Sequence, residues 1–135
     1  MKTTEERLEH YKFQSVNIRV LQCPPREDYV KFLQHGNCLI SCSRSEGWNI
    51  PLLESLACGT PSIASNWGPH LEFADGFARL VDVPKEMSPK QVFMLGDNFD
   101  YGVWGEPDFD HLKKVMRDVY KNYSEEKDNA VRRSK

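Results

Sequence analysis

The run Cys38-Leu39-Ile40-Ser41-Cys42 constrains the fold most, because five residues without polar alternation suit a strand buried in a sheet rather than one with a wet face. What flanks it is helical. Arg26 to His35 carries Tyr29, Phe32 and Leu33 on one side, and Gly36 offers a left-handed stop. Downstream, the spacing predicts a helix from Ile50, with Pro51 in its first turn and Gly59 at its end. Pro61 to Ser65 reads as a short strand, Pro69 to Ala74 as a short helix and Ala78 to Val83 as another strand. Alternating strands and helices predict parallel pairing with right-handed crossovers, an α/β Rossmann-like half. Ligands of such sheets bind beyond the carboxyl ends of the strands, and Ser43 to Asn49 occupies such an end.

The flanks are less regular. Thr3-Thr4-Glu5-Glu6 forms a capping box for a helix over residues 4–13, and Val16, Ile18 and Val20 alternate with polar residues in a strand that ends at Cys23-Pro24-Pro25. Residues 84–107, with Pro84, Pro89 and Pro107, read as a long loop packed back on the body through Phe93, Phe99, Tyr101 and Trp104. From Asp108, the positions Phe109, Leu112, Val115, Met116, Val119 and Tyr120 follow helical spacing. Residues 1–123 are therefore expected to form the domain, and the charged stretch 124–135 a disordered tail.

Glu46 and Glu54 bracket the turn Gly-Trp-Asn-Ile-Pro that feeds the second helix. At 100° per residue, Ile50, Leu53 and Ala57 share an apolar stripe and Glu54 falls beside Ile50, so a half-buried carboxylate is expected there. Such a group needs a hydroxyl, an amide or a cation, bound or internal. Glu46 lies where free N–H groups and the positive end of a helix dipole favour anionic oxygens. The two carboxylates and an oxyanion pocket would share one rim. Blander readings stand beside these: Glu46 as an exposed loop carboxylate, Glu54 as a helix N-terminal charge facing the dipole, and Trp48 as a cap on the core rather than a cover for a ligand. Glu72 reads as a surface carboxylate or as support for the Glu46 loop. No Ser or Cys is tied to His70 by a hydrolase motif.

The full run Ser43-Arg44-Ser45-Glu46-Gly47-Trp48-Asn49-Ile50-Pro51-Leu52-Leu53-Glu54-Ser55-Leu56-Ala57-Cys58-Gly59-Thr60-Pro61, with Gly68-Pro69-His70-Leu71-Glu72 after it, resembles retaining GT-B glycosyltransferases of the group 1 and glycogen-synthase-like type. Their C-terminal, donor-binding half carries two Glu separated by seven residues and then an Ala-Cys-Gly-Thr-Pro-like turn. The resemblance covers roughly residues 16–83, and Trp104-Gly105-Glu106-Pro107-Asp108 resembles a tail element of some of these enzymes. Asn49 departs from the small residue, commonly Gly, that the family most often has there. The resemblance implies transfer of a hexose from a nucleoside-diphosphate sugar to an acceptor it does not identify. Glu46 would accept hydrogen bonds from sugar hydroxyls, the N–H groups of Gly47, Trp48, Asn49 and Ile50 would face the sugar or diphosphate, and Glu54 would hold the ribose hydroxyls.

The same family has two further strand–helix units with a Gly-rich turn and an Arg and Lys that clamp the diphosphate, preceded by an acceptor-binding domain. Arg19, Arg26 and Arg44 do not stand in the context of that clamp. The expectation is thus a partial GT-B domain, prone to self-association or dependent on a complementing acceptor domain, in which the strands at Val16–Leu21 and Cys38–Ser41 either pair directly or leave open edges. A non-catalytic interaction or assembly module is the alternative. Single-domain length and a net charge of −2 give no footprint for nucleic acid. Neither a transmembrane run nor a secretory leader is visible, so a cytoplasmic location is expected. Cys23, Cys38, Cys42 and Cys58 lack Cys-x-x-Cys spacing and read as reduced core residues; no metal site and no cofactor are expected.

Overall fold

The computed structural model of the chain describes residues 25–89 and 100–135. The helix expected over residues 4–13 and the strand Val16–Leu21 lie outside the described residues, as does the pairing of that strand. The described elements are α1 (Arg26–His35), β1 (Leu39–Ser41), α2 (Ile50–Ala57), β2 (Ser62–Ser65), α3 (His70–Phe73), β3 (Arg79–Val81), β4 (Lys85–Met87), β5 (Trp104–Glu106), α4 (Phe109–Lys121) and α5 (Tyr123–Arg133).

The expected α/β architecture is present. β1, β2 and β3 form a parallel sheet in that order, with Ile40 beside Ile63 and Ile63 beside Arg79. Successive residues alternate between the two faces of the sheet; β1 and β3 stay partly open, with Ile40 43% exposed, while β2 is covered on both sides. Ile63 and Val81, with Cys38 and Cys42, meet Leu112, Val115 and Val119 of α4. Ala64, with Leu39 and Leu80, meets Leu52 and Leu56 of α2 and Phe73 and Ala74 at the end of α3. Every residue of β2 is buried, as the central strand of three layers should be.

Four expectations need correction. Ile50 and Leu53 are 60% and 41% exposed, and α2 instead buries Leu52 and Ser55 completely. Six of its eight residues are apolar or Pro, so periodicity alone could not choose the inward face. Gly36 is extended at φ −63° rather than left-handed; its N–H closes α1 on Leu33 and Phe32 carbonyls and the chain passes straight to β1. Residues 84–107 are more than a loop, for β4 and β5 pair antiparallel, Glu86 opposite Gly105. The stretch expected as a disordered tail forms α5. Its charges are ordered: Glu125 and Glu126 sit in the first turn and Arg132 and Arg133 in the last, each matching the local sign of the dipole. Glu126 pairs with Arg79 at 3.4 Å, Lys127 Nζ donates to the Gly59 carbonyl at 3.0 Å, and Ala130 is buried.

Gly59 shows why α5 docks. Thr60 N–H bonds the Ser55 carbonyl and Gly59 N–H the Leu56 carbonyl, a Schellman closure that requires the left-handed φ of +67°. A Cβ there would sit 3.1 Å from the Val131 Cα, so the end of α2 and the body of α5 touch through bare backbone. Among the described residues, no helix is long and apolar enough to cross a membrane.

Burial pushes the thiols of Cys38 and Cys42 up to about 11, with the Glu126 charge adding to the effect at Cys38. Thiolate is the reactive form, so at pH 8 only about one molecule in a thousand presents it at either site. The expected result is that iodoacetamide leaves both residues intact in the folded protein and alkylates them in urea, read by peptide mass. Rapid native labelling of both would show that this face of the sheet is open.

Candidate functional site

Parallel order puts three turns at one end of the sheet: residues 42–49 after β1, 66–69 after β2 and 82–84 after β3. The first carries Glu46. Its two feet are fixed by buried polar side chains. At one foot, Ser65 Oγ donates to the Ser43 carbonyl at 2.7 Å. At the other, Asn49 adopts left-handed geometry, φ +64° and ψ +60°, and caps α2 by accepting from Leu52 N–H at 3.3 Å. The left-handed region is sterically open to Gly and tolerated by Asn, which accounts for Asn at a position where a small residue serves in similar sequences.

The Asn49 side chain faces inward. With its Oδ1 accepting from Leu52, its Nδ2 points to Ser41 Oγ and to His70 Nε2, each at 2.7 Å. His70 Nε2 must therefore be an acceptor, which puts the ring proton on Nδ1, where it donates to the Ser65 carbonyl at 2.8 Å. His70 is 1% exposed and Ser65 fully buried. The imidazole, set aside as an acid or base in the sequence, is instead the buried post to which the Glu46 loop is tied. Its signal in the sequence is faint, since Asn49 and His70 stand 21 positions apart.

The β4–β5 ribbon holds the same loop from the other side. Gly105 N–H donates to the Arg44 carbonyl at 2.9 Å. The Arg44 guanidinium forms a two-pronged pair with Glu106, with Nη2 at 2.8 Å from Oε1 and Nε on Oε2, and lies 5.7 Å from the centre of the Trp104 ring. The hydrogen bond from Arg44, aided by its charge and by Lys85, holds the Glu106 carboxyl below the usual carboxylate range. That lowered value means the pair is intact at neutral pH and is lost only as pH falls through it.

Between these anchors the loop is unencumbered. Among the described residues, Glu46 has no hydrogen-bond or ion-pair partner, and neither do the N–H groups of Gly47, Trp48, Asn49 and Ile50. Glu46 and Gly47 are exposed. Trp48 is 44% exposed, its ring centred 5.4 Å from that of Phe73, so one face packs on α3 while the rest meets solvent. Glu54 sits four residues into α2, about 6 Å along the axis from Ile50, on the side facing α1. It is half-buried as expected, and its cation is internal: Arg26 Nη1 lies 2.6 Å from Glu54 Oε1. Glu72 is exposed on the surface. Among the described residues, no group of His, Cys, Asp and Glu converges as a metal site.

The site thus gathers Glu46 and the N–H groups of residues 47–50 on one loop, sets Glu54 one turn below, and turns the Asn49 side chain away from any ligand. The family described as glycosyl transferases group 1 matches residues 2–91, two thirds of the chain and the whole of this loop. Among curated proteins, no individual sequence gave a match.

Proposed function

The chain belongs to the group 1 glycosyl transferases, and from that premise we propose that residues 46–54 form the donor site of a retaining enzyme, which binds a nucleoside-diphosphate sugar for transfer of its hexose to an acceptor. One observation carries most weight: four N–H groups and a carboxylate, none with a partner among the described residues, share a single anchored loop at the carboxyl end of a parallel sheet. Glycosyl transfer with retention develops positive charge at the anomeric carbon and negative charge on the departing diphosphate. Fixed N–H groups at a helix start stabilise that leaving group without reorganisation. Glu46 accepts from the sugar hydroxyls and holds the ring in line with the leaving bond, while Glu54 accepts from the ribose hydroxyls. Trp48 flanks the sugar. The acceptor comes with a further domain or partner.

A second reading, an assembly module that keeps the fold, draws on the exposed apolar residues Ile50, Leu53 and Phe77. Calorimetric titration with UDP, GDP and ADP sugars separates the two. Selective binding by the chain supports the donor site; no heat at millimolar ligand favours the module. Glu54→Gln is expected to weaken donor binding by about 1 to 3 kcal/mol, the scale of charge-assisted hydrogen bonds, with the fold unchanged. Glu46→Gln, in an enzyme completed with an acceptor domain, is expected to lower turnover more than affinity, and an equal loss in both would remove it from the reacting sugar.

A further inference from the structure

Arg26 is the first residue of α1, a place where a cation works against the helix dipole. The rest of that first turn, Glu27 and Asp28, has the favoured sign. The guanidinium also stays largely in water, with 69% of the side chain exposed, so its ion pair adds little to folding stability. Yet it is held from two directions. Nη1 lies 2.6 Å from Glu54 Oε1, and Cζ lies 5.6 Å from the centre of the Tyr29 ring.

The carboxylate it grips is far more enclosed, with 23% of the Glu54 side chain exposed. A carboxylate has two oxygens and about four acceptor positions. Arg26 approaches Oε1, and Oε2 accepts no hydrogen bond among the described residues. Glu is a flexible side chain that would otherwise lose rotamer freedom each time a ligand bound.

We infer that Arg26 is the positioning residue for Glu54: it fixes the carboxylate through Oε1 so that Oε2 is presented, already ordered, to a pair of vicinal hydroxyls such as those of a ribose. This rests on the donor-site reading above. Arg26 itself does not touch the nucleotide, so its influence passes through Glu54 alone. Removing the guanidinium frees the carboxylate and charges the ordering cost to each binding event.

The test uses the full chain and compares the best-bound of UDP, GDP and ADP with its 2′,3′-dideoxy counterpart, by calorimetry, for wild type, Arg26→Met, Arg26→Lys, Glu54→Gln and the double variant Arg26→Met with Glu54→Gln. Arg26→Met keeps the stem and removes the charge, and circular dichroism checks its fold. The expected result is about a 5- to 10-fold loss of ribonucleotide affinity in Arg26→Met, partial recovery in Arg26→Lys, no change for the dideoxy compound, and no further loss when Arg26→Met is added to Glu54→Gln. An unchanged or tighter ribonucleotide affinity in Arg26→Met, with Glu54→Gln still abolishing the preference for ribose, overturns the inference and leaves the donor site standing. Equal loss for both compounds also overturns it, because Arg26 would then contact phosphate or base directly. If Glu54→Gln leaves the preference for ribose intact, or wild type binds none of the nucleotides, the donor-site reading fails and takes the inference with it.

Discussion

His70→Ala is expected to destabilise the fold by about 3 kcal/mol and to release the Glu46 loop. The substitution empties a site that is 1% exposed, and a cavity left by a large-to-small change in a core costs about 2 to 5 kcal/mol. It also strips one acceptor from Asn49 Nδ2 and one donor from the Ser65 carbonyl, both buried. Asn49 keeps Ser41 Oγ, which limits the polar part of the loss. Urea denaturation measures the stability, and hydrogen exchange over residues 43–50 measures the loop. A variant within about 1 kcal/mol of wild type, with unchanged exchange, would show that the loop is held without the imidazole.

The second large effect is expected at Gly105. A methyl group there would lie 2.5 Å from Val83 Cγ1 and 2.6 Å from Trp67 Cδ2, closer than non-bonded carbons approach. Trp67 belongs to the turn after β2, and Gly105 N–H holds the Arg44 carbonyl. Either the indole swings out or β5 lifts from the Glu46 loop. Overpacking of this kind costs about 1 to 3 kcal/mol, which for a chain of this length lowers Tm by on the order of 10 °C at the upper end. Calorimetry of Gly105→Ala together with its tryptophan emission reads both outcomes. An unshifted Tm and spectrum would mean that ribbon and indole have room to spare.

The central frame was legible because its signals are local. The run Cys38–Cys42 marks a strand and Gly59 the stop of α2, each from a few neighbouring residues, although the strand is less buried than the run suggests, with Ile40 43% exposed. The errors came where the decision is made elsewhere in the chain. Ile50, Leu53 and Ala57 form as good a stripe as the face α2 buries, and only the positions of β1 and β2 select Leu52 and Ser55. β4 and β5 are three residues each, with charges and a Gly in place of β-branched alternation, and exist because they meet each other. In α5, charge counted as a sign of disorder, although its order along the segment suits a helix with partners at Arg79 and Gly59. The carboxylates of the proposed site stand out in the sequence by motif and spacing. Their supports, Arg26, His70 and the Arg44–Glu106 pair, connect residues 21 to 62 positions apart and leave no periodic trace.

The contact between Gly59 and α5 bears on the order in which the protein is made. The ribosome adds about 5 to 20 residues per second, so Arg133 follows Gly59 out of the catalytic centre by roughly 4 to 15 s. Throughout that interval the far end of α2 lacks the backbone contact at Val131 and the ammonium of Lys127 on the Gly59 carbonyl. The helix that carries Glu54 is therefore born unclipped. It gains its final footing only when the most charged and least hydrophobic segment of the sheet's surroundings arrives, so the Glu46–Glu54 segment is completed seconds after its own motif has emerged.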